Sequence, residues 1–316
     1  PILSRNGIAE QTQGESSMLT VDAALAFIEQ QTKAGKPYLA VVWFGSPHSP
    51  HEALPEDVAR YGEEAENLRH FYGEITAMDR AFGKLRATLT TLPGYENTLL
   101  WYTSDNGGLP EIGRTGGRGH KGQIYEGGLR VPAMLQWPAR IKQARISSFP
   151  ANTSDLFPTV LEIAGLPAPN YPLDGISLLK VIEEEREQRP LGMGFWQYPK
   201  AGVRTPSREW MSELLAAQQN GNMTGDSSRL RLEAGTILHH YPTDSLPGHA
   251  AWLEWPWKLH RIAQHDGTHW ELYQLEQDSM ETHNVFDQYP EQASQLQARL
   301  AQWQHAVVNS LNGNDY

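Results

Sequence analysis

Apolar and polar positions along the chain predict helices and strands in alternation for its first half. From Asp22 to Gln31 the apolar residues Ala24, Leu25, Phe27 and Ile28 fall on one face of a helix. Pro37 to Gly45 (PYLAVVWFG) is an unbroken apolar run, the signature of a strand buried on both faces. Helical spacing returns from Asn67 to Leu92 through Phe71, Ile75, Met78, Phe82 and Leu85, and ends near Pro93-Gly94. Thr98 to Thr103 (TLLWYT) predicts a second buried strand that runs straight into Ser104-Asp105-Asn106-Gly107-Gly108. Val131 to Gln136 predicts a third core strand, and Ser154 to Ala164 a helix whose start is marked by Asp155 and Pro158.

Strand, helix and strand, with polar clusters directly after the strands, is the order of a parallel α/β sheet, which places ligands outside its carboxyl ends. The texture changes after about Gln188. Gly194 to Tyr198, Gly235 to His240, Ala250 to Arg261 and Trp270 to Leu275 are short, aromatic, partly alternating runs, which predict an antiparallel sheet. A closing amphipathic helix follows over Glu291 to Val308, with Leu296, Leu300, Trp303 and Val307 on one face. The expected organisation is an α/β core over residues 1–188 and a small α+β subdomain over 189–316.

Charge narrows the partners. Lys and Arg total 26 against 37 acidic residues, a net charge of −11, which argues against nucleic acid and leaves room for a small anion held by a local cationic cluster. No apolar run approaches the roughly 20 residues of a membrane helix. There is no cysteine, so disulfides, zinc–thiolate sites and a cysteine nucleophile are excluded within these residues. The start, Pro1-Ile2-Leu3-Ser4-Arg5, has neither an initiator Met nor a signal-peptide pattern and reads as a cut or processed end.

Three clusters carry candidate chemistry. Ser104-Asp105-Asn106-Gly107-Gly108 reads as a tight turn, or as adjacent hard oxygens from Asp105 and Asn106 suited to Ca²⁺, with Mg²⁺ second; two ligands are too few, so others must come from elsewhere. In Pro47-His48-Ser49-Pro50-His51 two prolines confine a loop whose imidazoles either cap and face solvent or exchange protons near neutral pH. From Gly113 to Arg130, Arg114, Arg118, His120, Lys121 and Arg130 are interleaved with glycines; the alternatives are a solvated basic loop and an anion site, and the acidity of the whole chain favours the anion site. Trp196, Tyr198, Trp252, Trp255, Trp257 and Trp270 either form the core of the second region or, for one or two such as Trp196, stack on a sugar at a pocket rim; Gln197, His239, His240 and His249 stay unassigned.

The order PHSPH, ENTLLWYTSDNGG, RGHKGQIYEGGLRVPAMLQWPARI resembles the type I, formylglycine-dependent sulfatases of the alkaline-phosphatase superfamily. The flanks SDLFPTVLEIAGLPAP, LDGISLL, WPWKLHRI and ELYQLEQDSMETHNVF agree, so the resemblance covers nearly the whole chain. It implies an alkaline-phosphatase-like sheet sandwiched by helices, lacking its N-terminal part, followed by a small antiparallel sheet and closing helix. Residue by residue, it implies that Asp105 and Asn106 are metal ligands, that His48 stands beside the scissile ester and that Lys121 contacts the sulfate. His51, Arg118 and His120 have no such match and are candidate pocket residues.

The family's acidic metal pair and its Cys or Ser matured to formylglycine in C/S-x-P-x-R do not occur here, which implies that a missing N-terminal segment completes the site. The implied activity is sulfuric ester hydrolysis on a sulfated small molecule or glycan, in a protein of periplasmic or secreted type. The rivals are a phosphatase, phosphodiesterase or phosphonate hydrolase of the same superfamily, which use two metals, and a non-catalytic sulfated-glycan binder.

Overall fold

The chain opens with a hairpin announced by a single dipeptide. Strands β1 (Ile2–Arg5) and β2 (Ile8–Gln11) pair antiparallel across Asn6-Gly7, where both residues have positive φ, 51° and 87°. Asn-Gly is the pair that accepts such a turn at least strain. Helix α1 (Ser16–Lys33) starts ahead of the predicted Asp22 because Glu15 caps it, accepting from the Ser17 and Met18 N–H groups at 2.8 and 2.9 Å. Its buried Val21, Leu25 and Ile28 pack toward α3 (Glu66–Leu89), whose buried stripe is Phe71, Ala77, Ala81, Leu85 and Leu89. Short α2 (Pro55–Val58) also lies on α3, and α7 (Ser207–Gln219) lies on the hairpin, where Gln218 Oε1 accepts from the Ala9 N–H at 2.8 Å.

This computed structural model describes residues 1–113, 115–184, 188–199, 207–223, 237 and 240–315. By contacts the chain forms two units, Pro1–Glu96 with Gly202–Ala234 and Asn97–Ala201 with Gly235–Tyr316. The fold is mixed α/β, but the expected parallel sheet with helices on both faces is replaced by antiparallel sheets of two, two and four strands among the described residues. The run from Pro37 to Gly45 is not a ladder strand. Tyr38, Ala40, Val42 and Phe44 are half-buried while Leu39, Val41 and Trp43 are 63%, 57% and 86% exposed. Apolar character alone makes no strand: the ladder needs a neighbour's N–H and C=O groups, and no described segment pairs here.

In the second unit β3 (Leu100–Thr103) pairs antiparallel with β4 (Ala133–Gln136), and the short helix α4 (Glu126–Leu129) precedes β4. A capping box of Asn152 and Asp155 starts the turn leading into α5 (Leu156–Ile163). Asp155 is fully buried, with Arg189 bonded to both its oxygens at 2.8 Å and the Ile176 N–H at 2.8 Å. Helix α6 (Leu179–Ile182) follows.

The predicted antiparallel sheet is present as β5 (Met193–Gln197), β6 (His249–Glu254), β7 (Trp257–Gln264) and β8 (Gly267–Gln274), in that spatial order. The predicted run at 235–240 falls mostly outside the described residues, as does His239. One face of the sheet, through Ala250, Leu259 and Leu272, packs on Ala293, Leu296 and Leu300 of the closing helix α8 (Pro290–Leu311), with Trp196, Trp252, Trp257, Trp270 and Trp303 around them. Strand alternation sends the other residues to the opposite face. There the register aligns His249 with Ile262 and His269, Ala251 with His260 and Glu271, and Leu253 with Lys258 and Tyr273. That second face is polar, yet Lys258 and His260 are wholly buried.

Candidate functional site

Two turns stitched together hold three of the predicted site residues. After β3 the Ser104 hydroxyl donates to the Asn106 carbonyl at 3.1 Å, and Asn106 Nδ2 donates to the Gly107 carbonyl at 2.9 Å, so Asn106 Oδ1 keeps its lone pairs. Asp105 is exposed and its carboxylate bonds to none of the described residues. The Gly107 N–H donates to the Gly128 carbonyl at 2.9 Å and the Lys121 N–H to the Gly108 carbonyl at 2.8 Å. This approach requires glycine: a Cβ on Gly107 would lie 2.0 Å from the Gly127 carbonyl oxygen, and one on Gly128 would lie 2.0 Å from that of Gln123. Asp105, Asn106 and Lys121 are thereby tied into one local unit. His120 sits beside them, its Nδ1 2.9 Å from the Lys121 carbonyl. A carbonyl only accepts, so that Nδ1 carries the proton and Nε2 is the free position.

His48 and His51 belong to the first unit. The His48 N–H donates to the Gly45 carbonyl at 3.0 Å, and its Nδ1 is 2.8 Å from the Ser49 carbonyl, which again fixes Nδ1–H and leaves Nε2 free on an exposed ring. His51 is half-buried, edge-on to Phe71 at 5.3 Å between ring centres, with Nδ1 3.7 Å from Glu74 Oε2. Glu74 also accepts from the Glu52 N–H at 2.8 Å, and His70 Nδ1 from the Ala53 N–H at 3.2 Å.

Arg118 lies over the Tyr125 ring at 4.1 Å and donates to Glu271 Oε2 at 3.1 Å and to the Tyr273 hydroxyl oxygen at 2.8 Å. Burial, the largest single influence, lowers the Arg118 pKa, but the Glu271 charge and hydrogen bond together with Tyr125 and Tyr273 outweigh it, and the guanidinium is held above its ordinary value. Tyr125 and Tyr273 hydroxyls also donate to Glu271 Oε2, at 2.8 and 3.0 Å. Burial opposes the Glu271 charge, yet these hydroxyls and Arg118 keep its pKa below the usual carboxylate value.

A second buried carboxylate lies nearby. Glu281 Oε1 accepts from His260 Nε2 at 2.7 Å and lies 3.0 Å from Lys258 Nζ, while Oε2 accepts from the Glu126 N–H at 2.6 Å. Lys258 also donates to Glu126 Oε1 at 2.7 Å. His260 Nδ1 is 2.9 Å from His249 Nε2. Burial first, then the Lys258 charge, depresses the His260 pKa well below its ordinary value, and burial brings His249 down to about 4. With both rings neutral, Glu281 fixes the proton of His260 on Nε2, and His260 in turn takes a hydrogen bond from His249 Nε2–H.

Lys258, His260, Glu271 and Glu281 lie in the segments WPWKLHRI and ELYQLEQDSMETHNVF, where the sequence alone assigns them no role. Strand alternation puts Lys258 and His260 on one face with Leu259 facing the other way, but it does not reveal that this face is covered. Trp196 sits against the core beneath α8 and donates its indole N–H to the Pro247 carbonyl at 2.8 Å. Arg114 lies outside the described residues. Among the described residues, no group of three or more His, Cys, Asp or Glu side chains is arranged to hold a metal. Asp105 and Asn106 supply unengaged hard oxygens, the right donor chemistry for Ca²⁺, which takes six to eight. No described helix is long and apolar enough to cross a membrane.

The stitched Asp-Asn turn and basic glycine loop lie within the stretch matched by a family profile described as Sulfatase, residues 4–166. The chain belongs to the sulfatase family. It is similar to the steryl-sulfatase of Mus musculus, 31% identical over 179 residues that cover 53% of this chain and 27% of that protein. It is 30% identical to the arylsulfatase G of Mus musculus over 260 residues, 76% of this chain and 47% of the relative. An ulvan-active sulfatase of Formosa agariphila is 28% identical over 219 residues, 60% and 42% of the two chains. The chain thus spans less than half the length of these relatives. Among solved structures, Ps i-CgsB superposes with a TM-score of 0.75 at 22% identity, covering 97% of this chain and 58% of that one, and has also been solved in complex with k-i-k-neocarrahexaose.

Proposed function

We propose that the whole protein hydrolyses sulfuric esters and that this chain supplies the charge-stabilising half of its site. The observation that carries the reading is the hydrogen bond from the Lys121 N–H to the Gly108 carbonyl, which ties a cation to the Asp105-Asn106 turn in a sulfatase-family chain. Asp105 and Asn106 would hold Ca²⁺ together with acidic ligands from the rest of the protein. That ion would offset charge on the sulfuryl oxygens, and a formylglycine in the same missing part would supply the nucleophile.

The chain's own residues do the rest. Lys121 offers a point charge to a sulfuryl oxygen as negative charge develops there. His48, held by its Nδ1–H on the Ser49 carbonyl, protonates the departing oxygen from Nε2 when the ring is in its doubly protonated, imidazolium form. In this reading the substrate is a sulfated carbohydrate, supported by the ulvan-active relative and the oligosaccharide complex of the fold neighbour. The rest of the protein also covers the open apolar run at Leu39, Val41 and Trp43, and the boundary near residue 188 separates its core from a C-terminal subdomain.

The test is turnover by the whole protein of aryl and carbohydrate sulfates, set beside the matching phosphates, with Ca²⁺ and with chelator. Sulfate hydrolysis lost on chelation is expected. Preference for phosphates, or binding of sulfated glycans without turnover, would overturn the reading.

A further inference from the structure

The segment from Gly117 to Leu129 contains only the four-residue helix α4, and its internal backbone bonds, such as that from the Gly127 N–H to the Arg118 carbonyl at 2.7 Å, fix its shape rather than its place on the sheet. Partners 132 to 155 residues further along the chain hold it. Arg118 and Tyr125 are bonded to Glu271; the Glu126 N–H is bonded to Glu281, and the Glu126 carboxylate to Lys258. The same segment carries the two backbone bonds to Gly107 and Gly108. It is therefore a bar fastened to the polar sheet face and to the turn that bears Asp105 and Asn106.

We infer that Glu281 and Glu271 are positioning residues that clamp this bar to the sheet and so set where the Lys121 ammonium stands. The inference rests on the reading of Lys121 as the anion contact. Both oxygens of Glu281 are engaged, by His260 and Lys258 on one side and by the Glu126 N–H on the other. An amide at this position keeps the volume but turns an NH₂ toward a donor, so at least one of the three interactions becomes donor against donor. On Glu271 a single oxygen accepts from Arg118, Tyr125 and Tyr273. Neither carboxylate reaches the turn itself, so their influence passes through the bar.

The experiment uses the whole protein with Ca²⁺ and an aryl sulfate, and compares Glu281→Gln, Lys121→Ala, the double variant and Tyr125→Phe. Glu281→Gln is expected to lower kcat by about 100-fold, the scale of a small misplacement of a catalytic group, with KM little changed. The double variant should be no slower than Lys121→Ala alone, because the loosened bar and the lost ammonium remove the same contact. Tyr125→Phe, which deletes one bond without burying a mismatched group, should show a smaller kcat loss and the same non-additivity. It carries the cycle if Glu281→Gln does not fold.

Wild-type kcat in both single clamp variants, or effects that multiply with Lys121→Ala, would overturn the inference. If the wild type does not turn over sulfates, the proposed activity falls while the clamp stays testable by amide hydrogen exchange over residues 118–129. Exchange about tenfold faster in the clamp variants, confined to that segment, supports the clamp, and unchanged exchange overturns it.

Discussion

The loop around His48 and the loop around Lys121 both lack regular structure, yet they are anchored over very different distances in the chain. His48 is held by Gly45 and Ser49, its own neighbours, and a longer tie to this loop comes from Glu74 on α3. The Lys121 loop hangs on two carboxylates at the far end of the sequence, Glu271 on β8 and Glu281 in the segment that follows it. The difference matches the chemistry proposed for each. A proton donor works through one ring nitrogen, and a single bond to the other nitrogen sets its tautomer. A point charge acts through its position, which only a rigid support fixes.

The sharpest way to break this comparison is to remove each group from the whole protein. His48→Ala should lower turnover of an alkyl or sugar sulfate by roughly 10²–10⁴-fold, and much less for a nitrophenyl sulfate, whose leaving oxygen needs no proton. Equal losses on the two substrates would remove His48 from the proton-donor role. Lys121→Ala should cost roughly 10²–10³-fold in kcat whichever leaving group is used. A loss that tracks the leaving group would show that the two loops had been assigned the wrong way round.

Stability sharpens the same contrast. Lys258 and Glu281 are both fully buried, so Lys258→Met should destabilise the chain by about 3 kcal/mol in urea unfolding. Lys84, paired with Asp22 on the open surface of the first unit, should lose less than about 1 kcal/mol as Lys84→Ala. Similar costs for the two lysines would mean that the sheet face is not the stronger anchor.

The smallest effect concerns pH. His249 takes up a proton only near pH 4 in the folded chain, chiefly because of burial, whereas in the unfolded chain it does so near its ordinary value of about 6.5. The unfolded state therefore binds more protons between those values, and stability present above about pH 6.5 is lost as pH falls toward 4. His260 acts in the same direction. Midpoints of unfolding should fall from pH 7 to 5, with a shallower slope in His249→Gln. A flat or rising midpoint in the wild type would refute the assignment of neutral rings.

Helices α1, α3 and α8 and strands β3, β4, β5 and β8 are legible from apolar pattern, because each is specified by residues within one element; the run Ala250 to Arg261, expected as one strand, is the two strands β6 and β7 folded back on each other. The run at Pro37 to Gly45 was misread because its apolar character was visible and its lack of a ladder partner was not. The Asn6-Gly7 hairpin was overlooked although its turn dipeptide stood in plain view. At the site, the residue types Asp105, Asn106, Lys121 and His48 stood out by composition and resemblance. The clamp did not, since a strand reading Lys258-Leu259-His260 ordinarily turns its polar side to water. Only the tertiary fold lays a loop over it.

Trp43, 86% exposed on the open apolar run, also makes the chain its own optical probe. An indole so open emits as it would in bulk water and is reached freely by small neutral quenchers. In the proposed whole protein, where the remainder covers that run, Trp43's share of the emission from the ten tryptophans would move to the blue and the quencher would be shut out.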